Sequence, residues 1–229
     1  MLFRPFIFIF SIFIIQMPAY LFAHSLNPHI AELLSPSARI YAFYENYSRP
    51  TVFGYNERVS FSNCFTGITV HTAKGMDYGL SLGTGGSELA GRTTSEYGYE
   101  IRGSISGNIW GDLVVFPAWR WNLTISHGLA TYKRYQSYDI DIEHRMFGAG
   151  LALICARQIG FLTPYAGAEF YTVEDNYSEN MTGTSYISEN SGVSMLTGIK
   201  ITVHELFYIS LEGQFLDVKS ISGAMNLLL

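Results

Sequence analysis

The residues with the greatest capacity for chemistry are six charged side chains embedded in stretches that are otherwise apolar or small. Around each of them, apolar and polar residues alternate with a period of two, which is the spacing of a β-strand whose two faces meet different surroundings. With the apolar set turned outward the charges point inward, where each must be paired or hydrated because an isolated buried charge is costly. The six candidate interior charges are Glu100, Arg102, Arg120, Glu169, Lys200 and Glu212.

Two roles are open for these charges: a polar plug that stabilises a closed structure, and a path that conducts small solutes. Glu169, Lys200 and Glu212 fall on three successive predicted strands and so offer a minus, plus, minus row. The other three charges fall on the fourth and fifth predicted strands, where they face one another. The interior of a small barrel is filled by side chains, which favours the plug.

No catalytic, cofactor-binding or metal-binding residue is predicted. None of the six histidines has the spacing of a metal site. Ser126 and His127 are neighbours, but on a strand they point to opposite faces and cannot share a proton. His144, close to Asp141 and Glu143 toward the loop end of the sixth predicted strand, is a candidate base for a hydrolase, but a solvated strand end is the favoured interpretation.

Two further features point to no chemistry. The Gly86–Thr93 segment departs from a phosphate-binding loop because Arg92 stands in place of Lys and no helical pattern follows, so no nucleotide cofactor is expected. Cys64 and Cys155 lie on distant predicted strands, where two unpaired small apolar side chains are expected.

Strands are the elements that must position these residues, and ten of them are predicted. They lie near residues 38–47, 57–72, 76–84, 95–106, 114–132, 138–155, 161–174, 191–203, 206–216 and 220–229. Short or compact connections alternate with mostly longer, polar ones, except at 217–219, and this alternation is typical of strands that cross a membrane back and forth. The longest connection, the acidic and hydroxyl-rich loop 175–190, is the candidate segment for binding an extracellular ligand.

The first 23 residues have the layout of a secretory signal peptide. Arg4 precedes an apolar run from Phe6 to Ile15 that is too short to span a membrane as a helix. Residues 24–229 contain no repeat and no Pro- or Ser-rich linker. A single exported domain over 24–229 is therefore predicted.

The composition excludes several classes of protein. The 229 residues are 48% hydrophobic, 15% aromatic and 14% charged, and this composition excludes a disordered chain. The net charge of −5 indicates no basic surface for binding nucleic acid. Few strand charges favour a membrane barrel over a secreted β-sandwich, and aromatic clusters near strand ends predict girdles at the membrane interfaces. The girdle candidates are Tyr41, Phe43, Tyr44, Tyr97, Tyr99, Phe116, Trp119, Trp121, Phe170, Tyr171, Phe207 and Tyr208.

Three segments resemble a known family: FLTPYAGAEFYT (161–172), SGVSMLTGIKITV (191–203) and LFYISLEGQFLDV (206–218). They look like the closing strands of small outer-membrane β-barrels, the OmpA-like and opacity-protein group. Together with the pattern, the resemblance implies an all-β fold, a closed antiparallel transmembrane β-barrel, with ten strands favoured over eight. It also implies an outer-membrane location, insertion by the barrel-assembly machinery and a monomer without cofactor.

The predicted function is a structural or surface-interaction role without catalysis. A narrow passive pore for small solutes is the first alternative, and a membrane-embedded hydrolase is the weaker one.

Overall fold

A computed structural model describes residues 37–50, 58–72, 75–89, 93–111, 117–135, 139–179, 183 and 185–229. The predicted signal peptide at 1–23 lies outside the described residues. In the described part of the chain, no helix is long and apolar enough to cross a membrane.

Ten strands account for most of the described chain, as the alternating pattern predicts. They are β1 (Ser37–Pro50), β2 (Arg58–His71), β3 (Met76–Leu89), β4 (Thr93–Trp110), β5 (Ala118–Tyr135), β6 (Asp139–Ala156), β7 (Leu162–Glu179), β8 (Ser185–His204), β9 (Phe207–Leu216) and β10 (Lys219–Leu228). The prediction of ten strands rather than eight is confirmed.

The sheet closes on itself because the last strand pairs with the first. Each strand is antiparallel to its neighbours in the chain, and β10 pairs with β1 from Arg39–Leu228 to Ser48–Lys219. A closed barrel leaves no unpaired edge around its girth, which is the requirement for a sheet surrounded by lipid. The predicted closed antiparallel β-barrel is confirmed.

Successive side chains on each strand alternate between an apolar outer surface and a largely polar interior. On β3, Leu80 and Leu82 are 58% and 55% exposed on the outside, whereas Ser81 between them is 2% exposed. This is the reverse of a soluble protein, in which exposed surfaces are polar and the apolar side chains are inside.

The prediction that the strand-end aromatics form interfacial girdles is wrong for four of its members. Tyr41, Phe43, Tyr171 and Tyr208 are buried inside the barrel, because each shares the inward parity of its strand. Tyr44, Tyr99, Trp119 and Phe170 lie on the outside, and Trp121 and Phe207 are half-buried. Phe116 and the side chain of Tyr97 lie outside the described residues.

The strands differ in length, which makes one end of the barrel uneven. We call this the upper end; it carries the β1–β2, β3–β4, β5–β6, β7–β8 and β9–β10 connections. β4 to β7 have 18 residues each and β8 has 20, but β9 and β10 have 10 each. Ten tilted residues rise about 25 Å, close to the height of an apolar membrane band, whereas eighteen rise about 45 Å.

The segment 175–190, predicted as a long loop, is mostly strand. β7 continues to Glu179 and β8 begins at Ser185, with Ser178 opposite Ser185. We call residues 174–179 and 185–193 the projecting hairpin, because its β8 half extends beyond Leu216, the last residue of β9. Polar residues obscured this extension in the sequence, because a strand with both faces outside a membrane needs no apolar alternation.

Candidate functional site

All six candidate interior charges lie inside the barrel. Their side chains are between 1% and 5% exposed and belong to inward positions of β4, β5, β7, β8 and β9. They do not form one group. The interior is layered instead, with an acidic middle, a more basic lower part and an aromatic layer beneath the upper end.

Arg102 occupies the centre of the acidic middle layer, between two carboxylates. Its guanidinium donates to Glu45 Oε2 at 2.6 Å and to Glu100 Oε1 at 2.8 Å, and Asn63 Nδ2 donates to Glu100 Oε2 at 3.3 Å. The guanidinium also lies 4.1 Å from the centre of the Phe65 ring, a cation–π arrangement that adds attraction where water is excluded.

Glu45 on β1 is not among the charges predicted from the sequence, which all lie on β4 or later strands. The signal was present: Glu45 has the same parity on β1 as the inward Tyr41 and Phe43. Once those two aromatics are assigned to the interior rather than to a girdle, Glu45 follows.

Glu169 and Glu212 complete the acidic layer through neutral partners. Gln214 Nε2 donates to Glu169 Oε2 at 3.2 Å, and the Tyr165 hydroxyl donates to Glu212 Oε2 at 3.0 Å. The expected minus, plus, minus row with Lys200 is not formed by direct neighbours. The register places Lys200 opposite a threonine and a serine, and its Nζ lies 4.2 Å from the centre of the Tyr208 ring.

Arg120 belongs to the lower layer, where its partner is Asp77. Arg120 donates to Asp77 Oδ2 at 2.8 Å, and His71 Nδ1 pairs with the other oxygen of the same carboxylate. The expectation that Arg120 faces Glu100 and Arg102 is wrong, because the β4–β5 register places Asn108 opposite it.

Arg39 adds a second guanidinium to the lower layer. It donates to Thr69 Oγ1 at 3.1 Å and to the Tyr208 hydroxyl. Arg39, His71 and Asp77 were not among the sequence candidates, although their inward parity on β1, β2 and β3 marks them.

An aromatic layer crosses the interior beneath the upper end. It consists of the buried residues Tyr47, Phe61, Ala130, Ile142, Met146, Tyr171, Val173, Tyr177 and Val218. Tyr47 stacks on Phe61 with ring centres 4.5 Å apart. These side chains come from β1, β2, β5, β6 and β7 and from the β9–β10 turn, so they form a hydrophobic core that crosses the interior.

The candidate hydrolase base, His144, is embedded in this aromatic layer. Its Nε2 lies 2.7 Å from Asp175 Oδ1, and its ring stacks on Tyr177 at 4.2 Å with an angle of 7°. Both His144 and Asp175 are at most 1% exposed. The prediction of a solvated strand end at His144 is therefore wrong, and the side chain of Asp141 lies outside the described residues.

A cavity opens beside this layer, along the inner backbone of β3, β4 and β5. It holds about 300 Å³ of empty space, part of it continuous with solvent, and Asn63, Glu100 and His144 line it together with glycine backbone. Within the described ranges, no group of three His, Cys, Asp or Glu residues is arranged to hold a metal ion.

Buried polar atoms without a partner among the described residues lie on several strands, including Ser81 on β3 and Asn122 and Thr124 on β5. Six of these atoms lie close together in the strand order: the hydroxyl oxygens of Ser194, Ser210, Ser220 and Ser222, with Glu212 Oε1 and Gln214 Oε1. All six residues lie on the inner face of β8, β9 and β10. Buried polar atoms of this kind require hydrogen-bonding partners, so this side of the interior is polar enough to hold water.

Comparisons with known proteins show the fold. No protein-family model matches the chain, and no curated protein matches it. The translocator domain of the autotransporter NalP from Neisseria meningitidis is similar, with 11% identity, a TM-score of 0.52, and coverage of 88% of this chain and 89% of that one. An outer-membrane channel from Pseudomonas putida F1 has 6% identity and a TM-score of 0.52, covering 90% and 100% respectively. The chain has the fold of outer-membrane β-barrels.

Proposed function

We propose that this protein is an outer-membrane β-barrel that is closed to solutes and acts through its upper end, in surface interaction rather than in transport or catalysis. The observation that carries the proposal is the aromatic layer across the interior, with Tyr47 and Phe61 stacked beside the buried His144–Asp175 pair. A solute crossing the barrel would have to displace this packed layer.

The outer surface supports a position in lipid. Large apolar side chains such as Leu80, Leu151, Met195 and Leu211 are about half exposed around the barrel. A band of this extent is a liability in water, but it matches the hydrocarbon layer of a membrane. Export by the predicted signal peptide, insertion by the barrel-assembly machinery and a monomeric state are parts of the same proposal.

The paired interior charges support a plug. Arg102 on β4 bridges Glu100 on the same strand and Glu45 on β1, and Arg120 on β5 bridges to Asp77 on β3, so strands that are not neighbours are joined by ion pairs. Burying an ion pair costs desolvation free energy, but removing one partner of a buried pair strongly destabilises the fold. Such bridges hold the barrel wall in one shape and leave less room for a solute.

Catalysis is disfavoured by the surroundings of His144. The ring is stacked on Tyr177, and its Nε2 is paired with Asp175. A general base must reach the proton that it removes from a substrate or nucleophile. Here a substrate would first have to separate the stacked rings.

A narrow passive pore is the second candidate, and one observation favours it. The unpartnered hydroxyl and carboxylate oxygens on β8, β9 and β10 form a polar strip along one side of the interior. Water held along this strip would give small ions a path beside the aromatic layer.

Planar-bilayer recording separates the two candidates. We expect the full-length mature protein to give no reproducible single-channel steps. The double variant Phe61→Ala, Tyr177→Ala is expected to give steps, because it removes two rings of the aromatic layer. Phe170→Ala is the matched control, since this ring is 64% exposed on the outside of the barrel.

Channel steps in the unmodified protein would contradict the proposal. If Lys200→Met also changed their size or ion selectivity, the interior would be a pore rather than a plug. Loss of barrel stability in Lys200→Met without any conductance is the result expected for a plug.

A further inference from the structure

The β8 half of the projecting hairpin has an open edge. β8 pairs with β9 only from Ser194–Leu216 to His204–Phe207, because β9 ends at Leu216. On its other side β8 pairs with β7 as far as Ser185. Over Ser185–Val193, the β9 side of β8 therefore has no neighbouring strand among the described residues.

The direction of the backbone groups along this edge follows from one hydrogen bond. The Val193 N–H points to the β9 side, where it donates to Asp217 Oδ2 at 3.1 Å. In an antiparallel sheet, successive residues direct their N–H and C=O groups to alternate sides. The backbone groups of Ser185, Ile187, Glu189 and Ser191 thus point to the open edge.

Asp217 marks the point at which intramolecular pairing stops. It lies in the β9–β10 turn, and its carboxylate accepts the hydrogen bond from the Val193 N–H of β8. A side chain of the turn, and not a further residue of β9, therefore pairs with this part of the β8 backbone. Gly192 permits this approach, because a Cβ on it would lie 2.5 Å from Asp217 Oδ2. Beyond this point, the edge of β8 continues without a strand beside it in the described part of the chain.

The edge lacks the proline and lysine residues that natural sheets often use to block pairing. Between Ser185 and Ser191 there is no proline, no lysine and no arginine. Ile187 is 65% exposed. A long exposed edge without such residues is a template for another strand.

The charges around the edge are acidic. Glu189 lies opposite Glu174 on the outer face of the hairpin, both exposed, and Asp217 lies at the end of the edge. Like charges directly opposite each other are unfavourable in a sheet. A strand that carries a positive charge next to Glu189 would relieve this repulsion.

We propose that the Ser185–Ser191 edge of β8 binds an extended, basic segment of a partner protein by β-strand addition. The backbone groups of Ser185, Ile187, Glu189 and Ser191 supply the hydrogen bonds. On the bound segment, the residue opposite Glu189 is a lysine or arginine. The residue opposite Ile187, two positions from that basic residue, is apolar. The proposal rests on the surface-interaction function and names the kind of partner.

The test uses the eight-residue peptide Lys-Thr-Val-Thr-Lys-Thr-Val-Thr (the Lys–Val peptide) as the probe, because its Lys and Val lie two positions apart and can face Glu189 and Ile187 together. The full mature protein is held in nanodiscs of zwitterionic lipid. Fluorescence anisotropy measures binding, and nanodiscs without protein correct for lipid binding. We expect Ile187→Pro to weaken binding at least tenfold, because proline removes an edge N–H that no strand of the barrel uses. Ile187→Ala, the matched control, keeps this N–H and should weaken binding less than threefold.

Two further comparisons test the chemistry of recognition. A peptide that is N-methylated at alternate residues should bind at least tenfold more weakly, because its backbone cannot complete the ladder. Glu189→Lys should also weaken binding of the Lys–Val peptide and strengthen binding of the corresponding peptide with Glu in place of Lys. Heat-modifiable gel migration identifies any variant that has not folded.

Hydrogen exchange supplies the direct readout at the edge. The Ile187 and Glu189 amides should exchange rapidly in the free protein and become protected when the peptide binds. Equal binding by Ile187→Pro and wild type would overturn the proposal, as would absence of both binding and protection. Protection that depends on protein concentration without peptide would assign the edge to a second copy of the chain instead.

The outcomes remain separable from those of the proposed function. Channel steps in planar bilayers would overturn the closed barrel whatever the peptide does. A silent barrel whose edge binds no peptide would overturn only the strand-addition proposal.

Discussion

At the scale of single residues, the interior depends most on Arg102. It is the cation between Glu45 and Glu100, and the Phe65 ring covers its guanidinium. Four carboxylates, from Glu45, Glu100, Glu169 and Glu212, lie in this middle layer. The charge balance of the layer is therefore sensitive to the loss of this one guanidinium.

Replacing Arg102 with Met should destabilise the barrel by about 3–5 kcal/mol, because Glu45 and Glu100 would stay buried without their cation. The measurement is urea-induced unfolding in lipid vesicles, followed by tryptophan fluorescence. Adding Glu45→Gln and Glu100→Gln to Arg102→Met should recover much of the loss, since the uncompensated charges are then removed.

Arg145→Met is the matched control for this prediction. Arg145 pairs with Glu143 on the outer surface, where the two side chains are 66% and 37% exposed. An exposed pair contributes about 0–1 kcal/mol, so the control should change stability little. Equal losses of stability in the two variants would contradict the importance of the buried group formed by Arg102, Glu45 and Glu100.

At the scale of elements, the aromatic side chains fit inside the barrel because glycines lie opposite them. Tyr41 is opposite Gly67 and Phe65 is opposite Gly83. Tyr165 is likewise opposite Gly198. In each pair the ring lies across the neighbouring strand, in the space that a Cβ on the glycine would fill. Aromatic–glycine pairs of this kind help to fix register in sheets.

Gly83→Ala should therefore destabilise the barrel by about 1–3 kcal/mol, because the new methyl group displaces the Phe65 ring and disturbs its contact with Arg102. Gly103→Ala is the control, since a Cβ there meets nothing within 4 Å. Alanine at that position should leave stability unchanged or raise it by about 0.5–1 kcal/mol. The measurement is the free energy of unfolding of both variants in urea under the same conditions, and equal values for the two would contradict the prediction.

At the scale of the whole molecule, the barrel is a membrane-height cylinder with a taller wall on one side. β9 and β10 have 10 residues each, against 18 to 20 in β4 to β8. The outer surface of the projecting hairpin carries Glu174 and Glu189, whereas lower positions carry Leu151 and Met195. We propose that the upper boundary of the lipid layer lies between these two levels.

Single-cysteine labelling in nanodiscs tests this boundary, after Cys64 and Cys155 are replaced by alanine. Ile187→Cys should react rapidly with a membrane-impermeant maleimide, because it lies on the projecting hairpin. Leu151→Cys should react only after unfolding, because lipid covers it. Comparable rates at the two positions in the folded protein would contradict the proposed depth of the barrel.

Period-two alternation within single strands supplied most of the fold prediction. It was sufficient for the number of strands and for the inward position of Arg102, Arg120 and Lys200, since the parity of a side chain is a local property. It failed for Tyr41 and Phe43, because an aromatic residue is suited both to a membrane interface and to the barrel interior, where Tyr41 lies opposite Gly67 and Phe43 opposite Phe65. Only the pairing of β1 with β2 distinguishes these two environments.

The sequence by itself determined the number of strands and the inward position of the six candidate charges, because these follow from the contrast between apolar and polar residues along each strand. The tertiary structure alone decided which charges meet: Arg102 with Glu45, Arg120 with Asp77, and His144 with Asp175. It also decided that β8 extends beyond the end of β9 and so has an unpaired edge over Ser185–Ser191. These relations depend on register and closure, which join residues that are far apart in the chain and carry no local signal.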